Sequence, residues 1–175
     1  EQAGVDDVVV SFSNLAEVKR WHKFPEDITF DDVPVSMMDD FLEAVESAGM
    51  CPSLDAYVQA GHTQMDIGYD VMVVQRCIQE GDVAYLEGDL DRKHVAGSLQ
   101  NLGYGFDKYE GVTTYHYDAG SYMGEKIGRQ LAERVGHVAA LKGLIITAAT
   151  SERLHTALDA WAKRTDNLSN TSQYA

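Results

Sequence analysis

Asp89 and Asp91 stand two apart in "AYLEGDLDRKHVAGSL", residues 84 to 99, with Arg92, Lys93 and His94 directly behind them. Two carboxylates at that spacing offer oxygen ligands to a hard cation, and the basic residues offer charge to a phosphate. The same letters also spell the start of a helix. A carboxylate at 91 would accept a hydrogen bond from a free first-turn amide and would face the positive end of the helix dipole. Leu90 before that cap and Val95 four residues beyond it would form a hydrophobic staple. Two further stretches use the same slot with other cap residues, Asn14 in "DVVVSFSNLAEVKRW" and Thr150 (or Ser151) in "LIITAATSERLHTALDAW". That interchange suits a cap and does not suit a metal ligand. The motif is therefore read as a helix start, and no metal is assigned.

The histidines at 22, 62, 94, 116, 137 and 155 form no HxH, HxxH or HExxH pair, the spacings that set two imidazoles on one face. His62, Asp66 and Asp70 in "GHTQMDIGYD" are spaced by four, but the glycines around them favour a loop. If the chain binds a small ligand, Tyr57, His62 and Asp66 are the lining to test. No GxSxG elbow, Ser/His/Asp order or phosphate-cradling glycine loop stands out, so no catalytic residue and no cofactor are predicted.

Glycines recur every four residues at 120, 124 and 128 in "DAGSYMGEKIGRQLAERVG", one position after Met123 and Ile127 in the latter two cases. Each glycine costs a helix interior about 1 kcal/mol. The pattern predicts a helix whose backbone packs closely, against a sheet or against another chain. Tyrosines crowd the stretch before it, and the alternation in "VTTYHY" puts Tyr115 and Tyr117 on one strand face. Tyr115, Tyr117 and Tyr122 with Gly120, Gly124 and Gly128 make up the candidate interaction surface. An aromatic layer beneath the helices is the alternative.

Cys51 and Cys77 are the two cysteines. An even count in an exported domain permits one disulfide, closing a loop of about 25 residues and stabilising by roughly 3 kcal/mol. Two buried thiols are the alternative. Asn167 and Asn170 begin overlapping sequons, "NLS" and "NTS", which are candidate glycosylation sites in a host that modifies exported proteins.

The elements that must position these residues follow a common order of strand, turn, strand, cap and helix. "YDVMVVQRCI" and "VAYLEG" around "QEGD" predict a hairpin within 69 to 90, and "GHVAAL" and "LIITAA" around "KG" predict a second. Each is followed by an amphipathic helix. The expected fold class is α+β, an antiparallel sheet with helices packed on one face, built from two successive β-β-α (ferredoxin-like) units plus an N-terminal strand-helix elaboration. Residues 1–68 are read as that elaboration, packed on the same core, with a further helix in "PVSMMDDFLEAVESAGM". Residues 69–165 are the repeated β-β-α domain, and 166–175 a polar tail.

The chain has 175 residues, 45% apolar and 24% charged, with a formal net charge of −14. Such a surface repels phosphate backbones, so nucleic acid is not an expected partner. No run approaches the roughly 18 apolar residues of a membrane span. The chain begins at Glu1 without methionine, which is read as a trimmed chain.

The runs "VAYLEGDLDRKHVAGSLQNLGYGFDKYEGVTTYHY" and "HVAALKGLIITAATSERLHTALDAW" resemble a loose group of prokaryotic exported and lipoprotein-like proteins of unknown function. In that group a strand ending in Gly-Asp/Asn-Leu/Phe-Asp leads into a helix, and a second β-β-α unit follows. The likeness covers about residues 69 to 165. It implies an extracytoplasmic setting, periplasmic or at the cell surface, and a binding or scaffold role with no catalytic residues to transfer. The expected function is a non-catalytic subunit or accessory interaction module of a cell-envelope assembly, with a protein partner or self-association. A small-ligand or cofactor-binding protein of the envelope is the second reading, and a hydrolase with a dispersed site the third.

Overall fold

The chain passes from strand to helix without a loop at Asn14, because that side chain is itself the stop and the start. Its carboxamide oxygen accepts the Glu17 amide at 3.1 Å, capping the helix as the strand ends. The computed structural model defines residues 10–25, 28–29, 32–38, 73–101, 103–117 and 136–170, the last seven by backbone alone. Strand β1 is Val10–Asn14 and helix α1 is Leu15–Trp21. Residues 35–38 are helical, and the rest of the helix expected from "PVSMMDDFLEAVESAGM" lies outside the described residues.

Strands β2 (Val74–Glu80) and β3 (Val83–Gly88) form the first expected hairpin. Gly81 takes φ +61° at the first central turn position, the place where a type II′ turn asks for glycine. Helix α2 (Arg92–Asn101) follows. It ends in a Schellman motif, with the Gly103 amide on the Gln100 carbonyl and the Tyr104 amide on the Leu99 carbonyl, both at 3.0 Å. Tyr104 and Leu99 are both buried in one cluster, the apolar contact that accompanies this ending.

Strands β4 (Gly105–Tyr109) and β5 (Val112–His116) form a second hairpin through Glu110 and Gly111, whose φ values of 47° and 81° are those of a type I′ turn. The sequence reading placed a strand only in the second half of this stretch. It overlooked β4, an edge strand whose middle residues Phe106, Asp107 and Lys108 are exposed and carry no inward apolar signal. Strands β6 (His137–Leu141) and β7 (Leu144–Ala148) make the third hairpin, and helix α3 is Ser151–Asn170.

Among the described residues seven strands join one antiparallel sheet in the order β1-β2-β3-β7-β6-β5-β4. An α+β class is as expected. The placing of the helices is not. Val95 and Leu99 of α2 pack with Leu15 and Val18 of α1 against Ala84, Leu86, Val138, Ala140 and Ile145. Leu154, Ala157 and Leu158 of α3 pack against Val83, Ala139, Leu144, Ile146 and Ala148. These two sets alternate along the same strands, so they are opposite faces of the sheet. The expectation of helices on one face is thereby corrected. The two hairpin-helix units share a local order but send α2 and α3 to different sides. The physical reason is β7, whose five residues are all buried. A strand covered on both faces has no in-out alternation to announce which side its following helix will take.

Candidate functional site

The Asp89–Asp91 motif does what a cap does. The Asp91 carboxylate accepts the Lys93 amide at 3.0 Å, and its carbonyl accepts the Val95 amide at 3.1 Å. Leu90 and Val95 are both buried in the α1–α2 cluster, completing the staple. Thr150 repeats the device, its hydroxyl accepting the Arg153 amide at 3.3 Å. Among the described residues no three histidine, cysteine or acidic side chains are arranged to hold a metal.

A polar group that the sequence reading missed lies on the α3 side of the sheet. Ser151, His155 and Asp159 occur at i, i+4 and i+8, one stripe of the helix. The His155 ring stacks on Tyr109 of β4 with centroids 3.7 Å apart and planes 6° from parallel. The Tyr109 hydroxyl donates to Asp159, 3.1 Å from each carboxylate oxygen. That hydrogen bond, then burial, then the charges of Asp159 and Glu110 raise the phenol above its ordinary range. Ser151 Oγ is 3.4 Å from His155 Nε2, beyond the 2.6–3.2 Å or so over which a base takes a proton directly. Asp159 is bonded to the tyrosine and does not orient the imidazole, as the third member of a Ser-His-Asp relay must. The stripe S-x3-H-x3-D was visible in "SERLHTALD". Its partner Tyr109 was not, being some fifty residues upstream.

Beside it lie two more histidines. His116 ends β5 and His137 opens β6, and the two are register partners. Their face is that of Ala139 and α3. His116 Nδ1 is 3.5 Å from an Asp107 carboxylate oxygen. Its ring lies over Gly105, where an added Cβ would come within 2.5 Å of Nε2. His137 is half-buried. Burial, then His116, then His155 hold its pKa below the usual imidazole value.

The candidate interaction residues are placed differently from the expectation. Tyr115 is only 4% exposed and belongs to the α1–α2 core, so it is withdrawn from any surface. Tyr117 is half-buried against that core, its ring 5.3 Å from Tyr104. The strand face they share is the one α2 covers, which gives the aromatic layer beneath the helices. Tyr122, Gly120, Gly124 and Gly128 lie outside the described residues, as do Tyr57, His62 and Asp66. Asn167 and Asn170 fall in the backbone of α3, and their side chains lie outside the described residues. Cys77 is fully buried on β2 and is disulfide-bonded; the other cysteine of the sequence, Cys51, lies outside the described residues.

Exposed apolar side chains gather at the other end of the sheet. Val10 is 61% and Phe12 51% exposed on β1. Phe12 is the register partner of Ile78, itself the partner of Tyr85 on β3, and both are half-buried. All four lie on the α3 side. Helix α3 sits over β7, β6 and part of β3, tied to the β2–β3 turn by the Arg153–Asp82 ion pair at 2.9 Å, and not over β1. Among the described residues β1 has a strand on one side only.

No protein-family model matches this chain, and no curated protein or solved structure is similar to it.

Proposed function

We propose that this protein is a non-catalytic extracytoplasmic interaction module, a subunit or accessory protein of a cell-envelope assembly, that takes its partner along the edge strand β1. One observation carries the reading, the coincidence of a strand that is an edge among the described residues with exposed Val10 and Phe12 on that same strand. An extended segment laid beside β1 gains main-chain hydrogen bonds, and alternate side chains of that segment cover Phe12 and Ile78. Natural edges are ordinarily protected by charge, proline or a bulge, and Val10–Asn14 carries no charged residue and no proline. The net charge of −14 favours a partner segment that mixes basic and apolar residues. The disulfide at Cys77 supports an oxidising compartment. Among the described residues no helix is long and apolar enough to cross a membrane.

Native mass spectrometry of the protein released gently from its source tests the reading. The wild-type chain is expected in a complex above its own 19.3 kDa, and Phe12→Arg is expected to run as the bare chain with unchanged thermal stability. A bare wild-type chain, or an F12R variant that keeps the complex, overturns it.

A further inference from the structure

We propose that His116, His137 and His155 form an acid-sensitive clasp between α3 and the β4–β5–β6 half of the sheet. The three come from three different elements and meet on one face. The register partnership of His116 with His137 sets their side chains next to each other. His155, one turn into α3, is held down by its stack on Tyr109, and Tyr109 is in turn bonded to Asp159. Among the described residues, the groups that face His137 are His116 from β5, with Asp107 of β4 behind it, and His155 from α3. From β7 its register partner is Ala148, which brings no charge. The space is small, since His116 already occupies the room that a side chain at 105 would need.

Such a site accepts neutral imidazoles and resists a full set of cations. Half-burial withholds water from a charge on His137, and protonated neighbours on two sides repel it. Its folded pKa lies below the ordinary unfolded value of about 6.5. The unfolded chain therefore binds the extra proton first as the pH falls. Stability from this group is complete above about pH 6.5 and is lost as the pH drops from there through the folded pKa. Each unit of depression corresponds to a tenfold loss in the folded-to-unfolded ratio. The first turn of α3 and the ends of β5 and β6 are where the loss is felt. This clasp is toward the opposite edge of the sheet from β1, on the same face, so it stands independently of the partner surface proposed above.

The test is a histidine NMR titration of the intact protein with urea midpoints at pH 7.5 and 5.0. His137 is expected to titrate below the ordinary imidazole value of about 6.5. The wild-type midpoint is expected to fall on acidification, and His137→Gln to lose clearly less of it. A His137 that titrates at or above about 6.5, or an H137Q variant that keeps the whole acid loss, overturns the proposal. Should H137Q fail to fold, the wild-type titration decides alone.

Discussion

Replacing Thr147 by valine removes one oxygen from the middle of the sheet. Thr147 is 2% exposed, and its hydroxyl has no hydrogen-bond partner among the described residues. On β7 its register partners are Ala84 of β3 and Val138 of β6, and it shares the α1–α2 face with Ile145. The hydroxyl is thus enclosed by apolar groups. A buried hydroxyl without a partner costs about 1–3 kcal/mol by mutational measures. Valine has the same branched outline and suits a strand at least as well. The substitution is therefore expected to stabilise by about 1–2 kcal/mol, which for a chain of this length raises Tm by about 2–8 °C. Urea denaturation with the disulfide intact gives the measurement, with Thr147→Ser as companion. T147S keeps the oxygen and loses the methyl, so it should fall below the wild type by about 1 kcal/mol. A T147V midpoint at or below that of the wild type would refute the reasoning, because it would mean that the hydroxyl is satisfied, by an ordered water for instance.

Gly88→Ala is expected to destabilise strongly, by about 2 kcal/mol or more, since its Cβ would stand 2.3 Å from the Val73 carbonyl oxygen, and backbone cannot swing aside as a side chain can. A thermal melt within a degree or two of the wild type would contradict that close approach. Asp91→Ala should cost about 1 kcal/mol through the lost cap, whereas Asp89→Ala should leave the urea midpoint in place. Equal losses at the two positions, or a gain in stability of the wild type with added calcium or magnesium, would revive the metal reading of that motif.

How legible the fold was depends on where the signal is local. The three helix starts at Asn14, Asp91 and Thr150 and two of the hairpins were readable because caps and turns are set by residues within a few positions of one another. The strand β4 was not, because among the described residues only one edge of it is paired, and Phe106, on the same face as Tyr115, is left exposed. The two-sided covering of the sheet did leave a mark, the unbroken apolar run "LIITA", which periodicity alone cannot assign to a side. At the candidate site the stripe on α3 could be seen, but its meaning rests on Tyr109, which the β4–β5 hairpin delivers from far along the chain. Tyr115 went the other way. Its alternation was right, and what the alternation could not say was that α2 would lie on that face.

The placing of β7 beside β3 has a consequence for the order of events in folding. The pairs β2–β3, β4–β5 and β6–β7 are each closed by a two-residue turn, but β3 and β7 meet only after about 55 residues of intervening chain are gathered in, and β1 and β2 after about 60. Closing such a loop costs on the order of 3 kcal/mol more than closing a two-residue one, by the logarithmic scaling of chain entropy. The hairpins are thus free to form early and separately, while the β1–β2 and β3–β7 seams wait on long loops. Until the β3–β7 seam closes, the apolar strand β7 presents an unpaired edge, and the net charge of −14 opposes the pairing of one nascent molecule with the next.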